Sequence, residues 1–386
     1  MDWRRDGHAV ALRREAGRWS PASRQLVIVD EASLADTRTL AVVVDQVQAA
    51  GAKVLLVGDH LQRGSVDAGG AFGMLARRGP TAELTSLRRF RHPWEARASL
   101  QLRRGQSAAL DAYDAHGAFV GGAREQVLDA ALRGYLAAAA EGRVAVLQAA
   151  DNRTVRELNA MTRADGVRLG AVSTGGVELH DGLVAGVGDR VVTRRNHRRL
   201  HTPDGFVRNG NLWDVVAVRG DGALRVRPAD AAGRTDEGAA VVLPAAYVAE
   251  NVELGYATST ARTQGMTVDE THTLAAPGMG REDLCVAMSR GRERNRVYVV
   301  TDGADDECLP ASPSVATSYR DVLDGILATS HAETTATETW ESYHPSEPAP
   351  LPVPTLRAPH DYTWSAPPAY AAPTATPVHR PPAPSR

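Results

Sequence analysis

Two short apolar runs, each ending in polar residues, constrain this chain most: Leu26-Val-Ile-Val-Asp30 and Val54-Leu-Leu-Val-Gly58-Asp59. Both are short, continuous and apolar, as expected of strands buried in a parallel sheet. Between them, Thr37 to Ala50 reads as a helix closed by Gly51. Strand, helix and strand in this order make the unit of a parallel α/β sheet, because parallel neighbours need a long crossover. Ligands of open α/β sheets bind beyond the carboxyl ends of the strands, which is where Asp30-Glu31 and Gly58-Asp59-His60-Leu61-Gln62 stand.

A second α/β unit follows. Residues 124–140 form an amphipathic helix with Val127, Leu128, Ala131, Leu132, Tyr135 and Leu136 on one face, then come a strand at Val144–Leu147 and a helix through Val155, Leu158 and Met161. From about Ser173 to Val252 glycines and turns multiply. Short strands recur there at Arg190–Thr193, Trp213–Val218, Leu224–Arg227 and Ala240–Leu243, which predicts a small β-barrel inserted in the second α/β domain. A strand at Val297–Val300 returns to the parent pattern. From about Ser330 the chain turns to Thr, Ala, Glu and Pro, and residues 345–386 hold 13 of the 22 prolines. Such a tail buries too little apolar surface to fold and is expected to be disordered.

Composition narrows the setting. The net charge of −2 does not announce a nucleic-acid binder, although a local basic groove is compatible with a neutral total. Of 44 basic residues 43 are arginine, Lys53 being the lysine, so arginine clusters carry less information than usual. Cys285 and Cys308 make neither a disulfide framework nor a zinc site. No apolar run reaches transmembrane length and the polar start is not a signal peptide, so a cytoplasmic protein is expected.

Several constellations carry chemistry. An acid ending a strand, as Asp30 does, suits a Mg²⁺ site, and the following Glu31 suits the orientation of an attacking water; a plain helix N-cap is the alternative. Gln62 stands where it can sense a phosphate, or simply close a turn. Arg88-Arg89, the stretch Thr260-Ala-Arg-Thr-Gln264-Gly265 and Ser289-Arg290-Gly291-Arg292 supply groups that neutralise phosphate charge, or surface ion pairs. Their order and spacing decide between these readings.

The set resembles superfamily 1 helicases over about residues 25–305: Asp30-Glu31 as motif II, Gly58-Asp59 with Gln62 as motif III, Arg89 as the motif IV arginine, Thr260, Gln264 and Gly265 as motif V, and Ser289-Arg290 as motif VI. The insertion, with Val187-Gly-Asp-Arg-Val191 and Asn209-Gly210, resembles the SH3-like barrel of RecD-type helicases. The phrases Ala68-Gly-Gly-Ala-Phe72, Arg89-Phe90, Leu102-Arg103 and Leu158-Asn159 resemble the helicase half of TrwC/TraI-type (MobF) conjugative relaxases. Arg63, where the family usually has Leu, and Ala261, where a His is common, depart from the pattern without removing a phosphate contact.

This resemblance implies RecA-like domains: a partial first one at 1–85, a second at 86–172 and 253–310, the barrel at 173–252, a C-terminal helix at 311–329 and a disordered tail at 330–386. It implies ATP and Mg²⁺ as cofactors and single-stranded DNA as partner. Asp30 would hold the metal through water. Glu31, Gln62, Arg89 and Arg290 would act in catalysis, and Gly58, Asp59, Gln264 and Gly265 would bind the nucleotide. Thr260 would couple to DNA.

The family's phosphate loop, Gly-x-x-x-x-Gly-Lys-Ser/Thr, belongs well upstream of motif II, and the 29 residues before Asp30 contain no lysine. The first domain is therefore expected to be incomplete, with an exposed sheet edge, and inactive alone. An upstream polypeptide carrying that loop and a relaxase domain is the implied partner. A non-enzymatic DNA- or partner-binding remnant is the alternative. Arg194, Arg195, Arg198, Arg199 and Arg208, with His197 and His201, form a basic stretch suited to DNA phosphates, or a solvated hairpin. Phe206 is a candidate base-stacking residue, and Trp213 is expected in the barrel core.

Overall fold

A computed structural model describes residues 20–62, 64–65, 69–84, 87–202, 205–229, 240–302, 318–332 and 334–343. The expectations for residues 1–19, Arg63, Ala68 and the tail beyond Tyr343 lie outside these residues.

The first unit forms as its pattern predicts. Strands β1 (Leu26–Val29) and β2 (Lys53–Leu56) pair in parallel, with Ile28 opposite Leu55. Helix α1 (Thr37–Ala49) joins them, started by Asp36, whose carboxylate accepts the Thr39 amide at 2.8 Å. One face of this pair packs Val29 and Leu56 onto Leu40, Ala32 and Ala71, the last from α2 (Ala71–Arg78). The other face departs from the expected two-sided burial: Leu26 is 56% exposed, Ile28 60% and Leu55 47%. Side chains alternate across a strand, and among the described residues helices cover one side of this sheet, so the alternate residues face outward.

Next come α3 (Pro93–Arg103), α4 (Ala108–Asp114), β3 (Phe119–Gly122), α5 (Arg124–Ala140), β4 (Ala145–Ala149) and α6 (Asn152–Arg168). The insertion holds β5 (Val177–Glu178), β6 (Val184–Ala185), β7 (Arg190–Thr193), β8 (His197–Thr202), β9 (Gly205–Val207), β10 (Leu212–Val218), β11 (Leu224–Ala229), β12 (Val241–Leu243), α7 (Ala245–Asn251) and β13 (Val252–Leu254). The parent fold resumes with β14 (Ala257–Ser259), β15 (Val268–Ala275), α8 (Arg281–Ala287), β16 (Gly291–Val300), α9 (Tyr319–Ala328) and α10 (Ala336–Tyr343).

The parent sheet has five strands, all parallel, in the order β14-β4-β15-β16-β3. Val127, Leu128 and Ala131 of α5 and Val155 and Leu158 of α6 cover one face. On the other side, Leu102, Leu110, Tyr113, Leu284, Leu323 and Ile326 from α3, α4, α8 and α9 share a core with Val297 and Val299. The result is a three-layer α/β/α arrangement whose central strand β15 is buried on both sides, its polar residues Glu270, Thr271, His272 and Thr273 included.

The insertion is an antiparallel five-stranded sheet in the order β12-β11-β10-β7-β13, accompanied by the hairpins β5–β6 and β8–β9. Trp213 fills its core at 2% exposure, and its indole N–H donates to Thr193 Oγ1 at 3.3 Å. A buried polar joint ties the insertion to the parent. The Asp189 carboxylate, fully buried, accepts from Arg163 Nε of α6 at 2.9 Å, from the Tyr256 hydroxyl at 2.8 Å and from the Gly186 amide at 2.7 Å. Asn159 Oδ1 accepts from the amides of Tyr256 and Ala257 where the chain re-enters the parent domain.

Residues 334–343 correct the expectation of disorder from Ser330 onward. Helix α10 forms there, and Glu338 and Glu341 pair with Arg77 and Arg78 of α2. Just upstream, Ser330 Oγ and the His331 amide donate to Glu282 of α8 at 2.6 and 2.9 Å. Acid–base complementarity between residues 261 and 263 positions apart supplies what the tail's own apolar content does not. Such pairs contribute under about 1 kcal/mol each and weaken in salt. Replacing Arg77 and Arg78 together by Glu is therefore expected to release α10. Hydrogen exchange of 336–343 at low salt reads this directly, and unchanged protection would contradict the pairing.

Candidate functional site

The residues after β1 and β2 meet residues from the second sheet. Glu31 follows β1 with φ 50° and ψ 39°, a left-handed conformation that costs a non-glycine residue roughly 1–2 kcal/mol. Its amide donates to Asp30 Oδ1 at 2.9 Å, and the next amide, of Ala32, donates to the Val57 carbonyl at 2.8 Å. Gly58 allows this close approach: a Cβ there would lie 3.1 and 3.2 Å from the backbone nitrogens of Ala32 and Ser33. From the second sheet, Gln264 Nε2 donates to Glu31 Oε2 at 3.3 Å and Arg290 Nη2 to Gln62 Oε1 at 3.4 Å. Gly265 follows Gln264 with φ +82°. Asp30, Glu31, Gly58, Gln62, Gln264, Gly265 and Arg290 are thus gathered along one seam.

The seam is electropositive on one side. Arg290 is 2% exposed and bonds to neutral oxygens, the Val286 carbonyl at 3.1 Å and Ser289 Oγ at 2.8 Å. Burial and the neighbouring Arg89 lower its pKa to about 10, with Glu31 and Asp59 acting the other way. Arg89 donates to Thr267 Oγ1 at 3.1 Å and to the Ser289 carbonyl, and burial lowers its pKa against the pull of Glu31. Two desolvated guanidiniums held close together favour an anion between them. Gln264 Oε1 is buried without a hydrogen-bond partner among the described residues, a further vacant polar function in the seam.

Other expected residues are placed differently. Asp59, expected to bind the nucleotide, is engaged by Arg103 Nη2 and Gln62 Nε2, each at 2.8 Å, and so orients Gln62. Thr260 is fully buried and donates to Asp283 Oδ1 at 3.0 Å, which corrects its assignment as a DNA contact: the short 3-10 turn Thr260–Thr263 packs inward. Asp283 lines a cavity of about 390 Å³ at the carboxyl ends of β4 and β15, with Arg124, Asp151, Thr154 and His331 also on its wall. No sequence feature pointed to this cavity.

On the insertion, Arg194 is also corrected as a DNA contact. Its side chain is 12% exposed and its guanidinium donates to Glu253 Oε2, because the β7–β13 pairing buries it. Arg195, Arg198, Arg199 and Arg208 are exposed. The guanidiniums of Arg198 and Arg208 lie 5.8 and 5.2 Å from the Phe206 ring centroid, which joins cations and an aromatic face on one hairpin.

The conjugal transfer protein TraA of Agrobacterium fabrum is 32% identical over 291 residues, covering 74% of this chain and 26% of that protein. Over that stretch the chain is similar to TraA. The probable conjugal transfer protein TraA of Sinorhizobium fredii is likewise 32% identical over 313 residues, 75% of this chain and 27% of its own length. The chain thus spans about a quarter of the curated relatives it matches. A family model described as an AAA domain matches residues 4–124. The crystal structure of a Pif1 helicase from Bacteroides in complex with ADP-AlF3 and ssDNA is similar at a TM-score of 0.50 and 17% identity, over 84% of this chain and 76% of that one. The fold, with its five-stranded parallel sheet, is therefore similar to the RecA-like domains of that helicase. Among the described residues of this chain no helix is long and apolar enough to cross a membrane.

Two seam residues escaped the sequence reading. Arg103 was visible only as part of a phrase, and Thr267 not at all, because each acts on a partner more than 40 residues away. Glu95 is a third: it is 1% exposed, and burial raises its pKa to about 7 although Asn295 donates a hydrogen bond to it.

Proposed function

We propose that this chain is the motor portion of a conjugative relaxase–helicase that couples ATP hydrolysis to movement along single-stranded DNA. The convergence of Glu31, Gln62, Gln264, Arg89 and Arg290 on one seam, with two guanidiniums that bond to neutral oxygens, supports this reading. The donor set fits a triphosphate with Mg²⁺. Asp30 would hold the metal through water, Glu31 would orient the attacking water, Gln62 would respond to the terminal phosphate, and Arg89 and Arg290 would take up its charge. The metal, when bound, supplies Lewis-acid neutralisation of phosphate oxygens. The phosphate loop would come from a polypeptide region upstream of these residues. The test is DNA-stimulated ATP hydrolysis when that region is joined to this chain; no stimulation by single-stranded DNA would count against the motor.

DNA would run past the exposed hairpin arginines and Phe206. Binding of a labelled oligothymidylate, followed by anisotropy at increasing salt, is expected to weaken with a log–log slope of about −0.7 per phosphate contact. Replacing Arg198, Arg199 and Arg208 by Ala should flatten that slope by about 2 if each makes one contact. An unchanged slope would remove the hairpin from the interface.

A further inference from the structure

We infer that Asn295, oriented by Glu95, is the positioning residue for Arg290, an assignment that rests on the proposed phosphate role of that arginine. The peptide unit joining Arg290 to Gly291 is gripped at both of its polar ends. Its carbonyl accepts from the Val268 amide at 3.0 Å, and its N–H donates to Asn295 Oδ1 at 2.8 Å. With that plane held, the backbone direction from which the Arg290 side chain leaves is set. Asn295 also donates from Nδ2 to the Gly291 carbonyl at 3.1 Å, so one side-chain amide closes the turn on both sides. Position 291 accepts no side chain, since a Cβ would press on the Arg294 carbonyl and lie 2.8 Å from Asn295 Oδ1.

The amide is itself held in one orientation. Thr271 Oγ1 donates to Asn295 Oδ1 at 2.9 Å, and Asn295 Nδ2 donates to Glu95 Oε1 at 2.7 Å. A carboxyl oxygen facing Nδ2 and an amide N–H facing Oδ1 leave one way for the amide to point. Asn295 is 2% exposed, and Glu95 Oε2 is buried without a partner among the described residues. Burying a carboxyl to make one hydrogen bond is unfavourable compared with an apolar side chain of similar shape. The arrangement trades stability for a fixed turn next to Arg290. The same helix α3 carries Arg103, which fixes Asp59 and through it Gln62, the residue that Arg290 meets across the seam.

The test uses the full 386-residue chain and needs no hydrolysis. Phenylglyoxal modifies arginines, and peptide mapping gives a rate for each one. In the unaltered chain Arg290 reacts slowly and exposed Arg133 quickly. Asn295→Ala and Glu95→Ala are each expected to raise the Arg290 rate at least tenfold while Arg163, half-buried against Asp189, keeps its own. Glu95→Gln retains an acceptor for Asn295 Nδ2 and should stay within threefold of the unaltered chain; this rescue separates positioning from general packing. If Asn295→Ala speeds Arg163 as well, the fold has opened, and the Glu95→Ala and Glu95→Gln pair decides. Equal Arg290 rates in those two, or no acceleration in a folded Asn295→Ala chain, overturn the assignment. A failure to hydrolyse ATP would leave these rates unaffected, so the two readings fail separately.

Discussion

Replacing Arg290 by Ala, in a protein that joins this chain to a phosphate loop, should lower DNA-stimulated ATP hydrolysis by roughly 10³–10⁵-fold. The expectation comes from where its charge sits. The guanidinium is desolvated, bonded to neutral oxygens and pressed by Arg89, so its interaction with an arriving phosphate is little screened. Charge that grows on the phosphoryl oxygens in the transition state is what such a group stabilises, so kcat should fall with KM changed far less. Arg290→Lys should rescue little, because an ammonium on a flexible stem does not reproduce the planar fork. The pKa of about 10 lies well above working pH, and an arginine is charged below its pKa, so the defect should be constant between pH 6 and 8. Steady-state hydrolysis across that range checks both statements. A loss smaller than tenfold would mean that another group carries the phosphate charge.

The second large effect concerns the joint of the insertion. Asp189→Ala should destabilise the chain by about 3–5 kcal/mol, the usual consequence of removing one partner of a buried ion pair. Arg163 loses its counter-charge, and the Tyr256 hydroxyl and the Gly186 amide lose their acceptor, all in a site where Asp189 is fully buried. Asp189→Asn should lose less, since the amide oxygen still accepts from one of these donors while the charge is gone. Urea unfolding of the chain measures the difference. If the two substitutions cost the same, charge and not the retained hydrogen bond holds the joint. Asp189 had entered the sequence reading as part of a phrase marking the insertion, and its local work is to orient that insertion on α6.

The conflicts between sequence and structure have a common source. Thr260 and Arg194 were assigned to DNA by position in a motif or a basic run, and both are satisfied internally, by Asp283 and Glu253. Asp59, expected at the nucleotide, likewise has a partner in Arg103 that its motif did not reveal. A motif gives the residue type and its place on a strand end; it does not say which neighbour from another element reaches the side chain first. Helix α10 is the converse case, where a segment too polar to fold alone gains a partner in Arg77 and Arg78.

The sequence by itself determined the parallel α/β units, the interruption of the second by a β-rich insertion, the burial of Trp213, and the placing of Asp30, Glu31 and Gln62 at strand ends. Those follow from periodicity, glycine placement and strand-end chemistry, which are local. Tertiary structure alone decided that Gln264 meets Glu31 and Arg290 meets Gln62, that one sheet face near Ile28 is left open, and that Glu95 and Asn295 stand behind Arg290. The three hydrogen-bonded pairs join residues 233, 228 and 200 positions apart, and desolvation and competition among hydrogen-bond partners act only once the chain has brought them together.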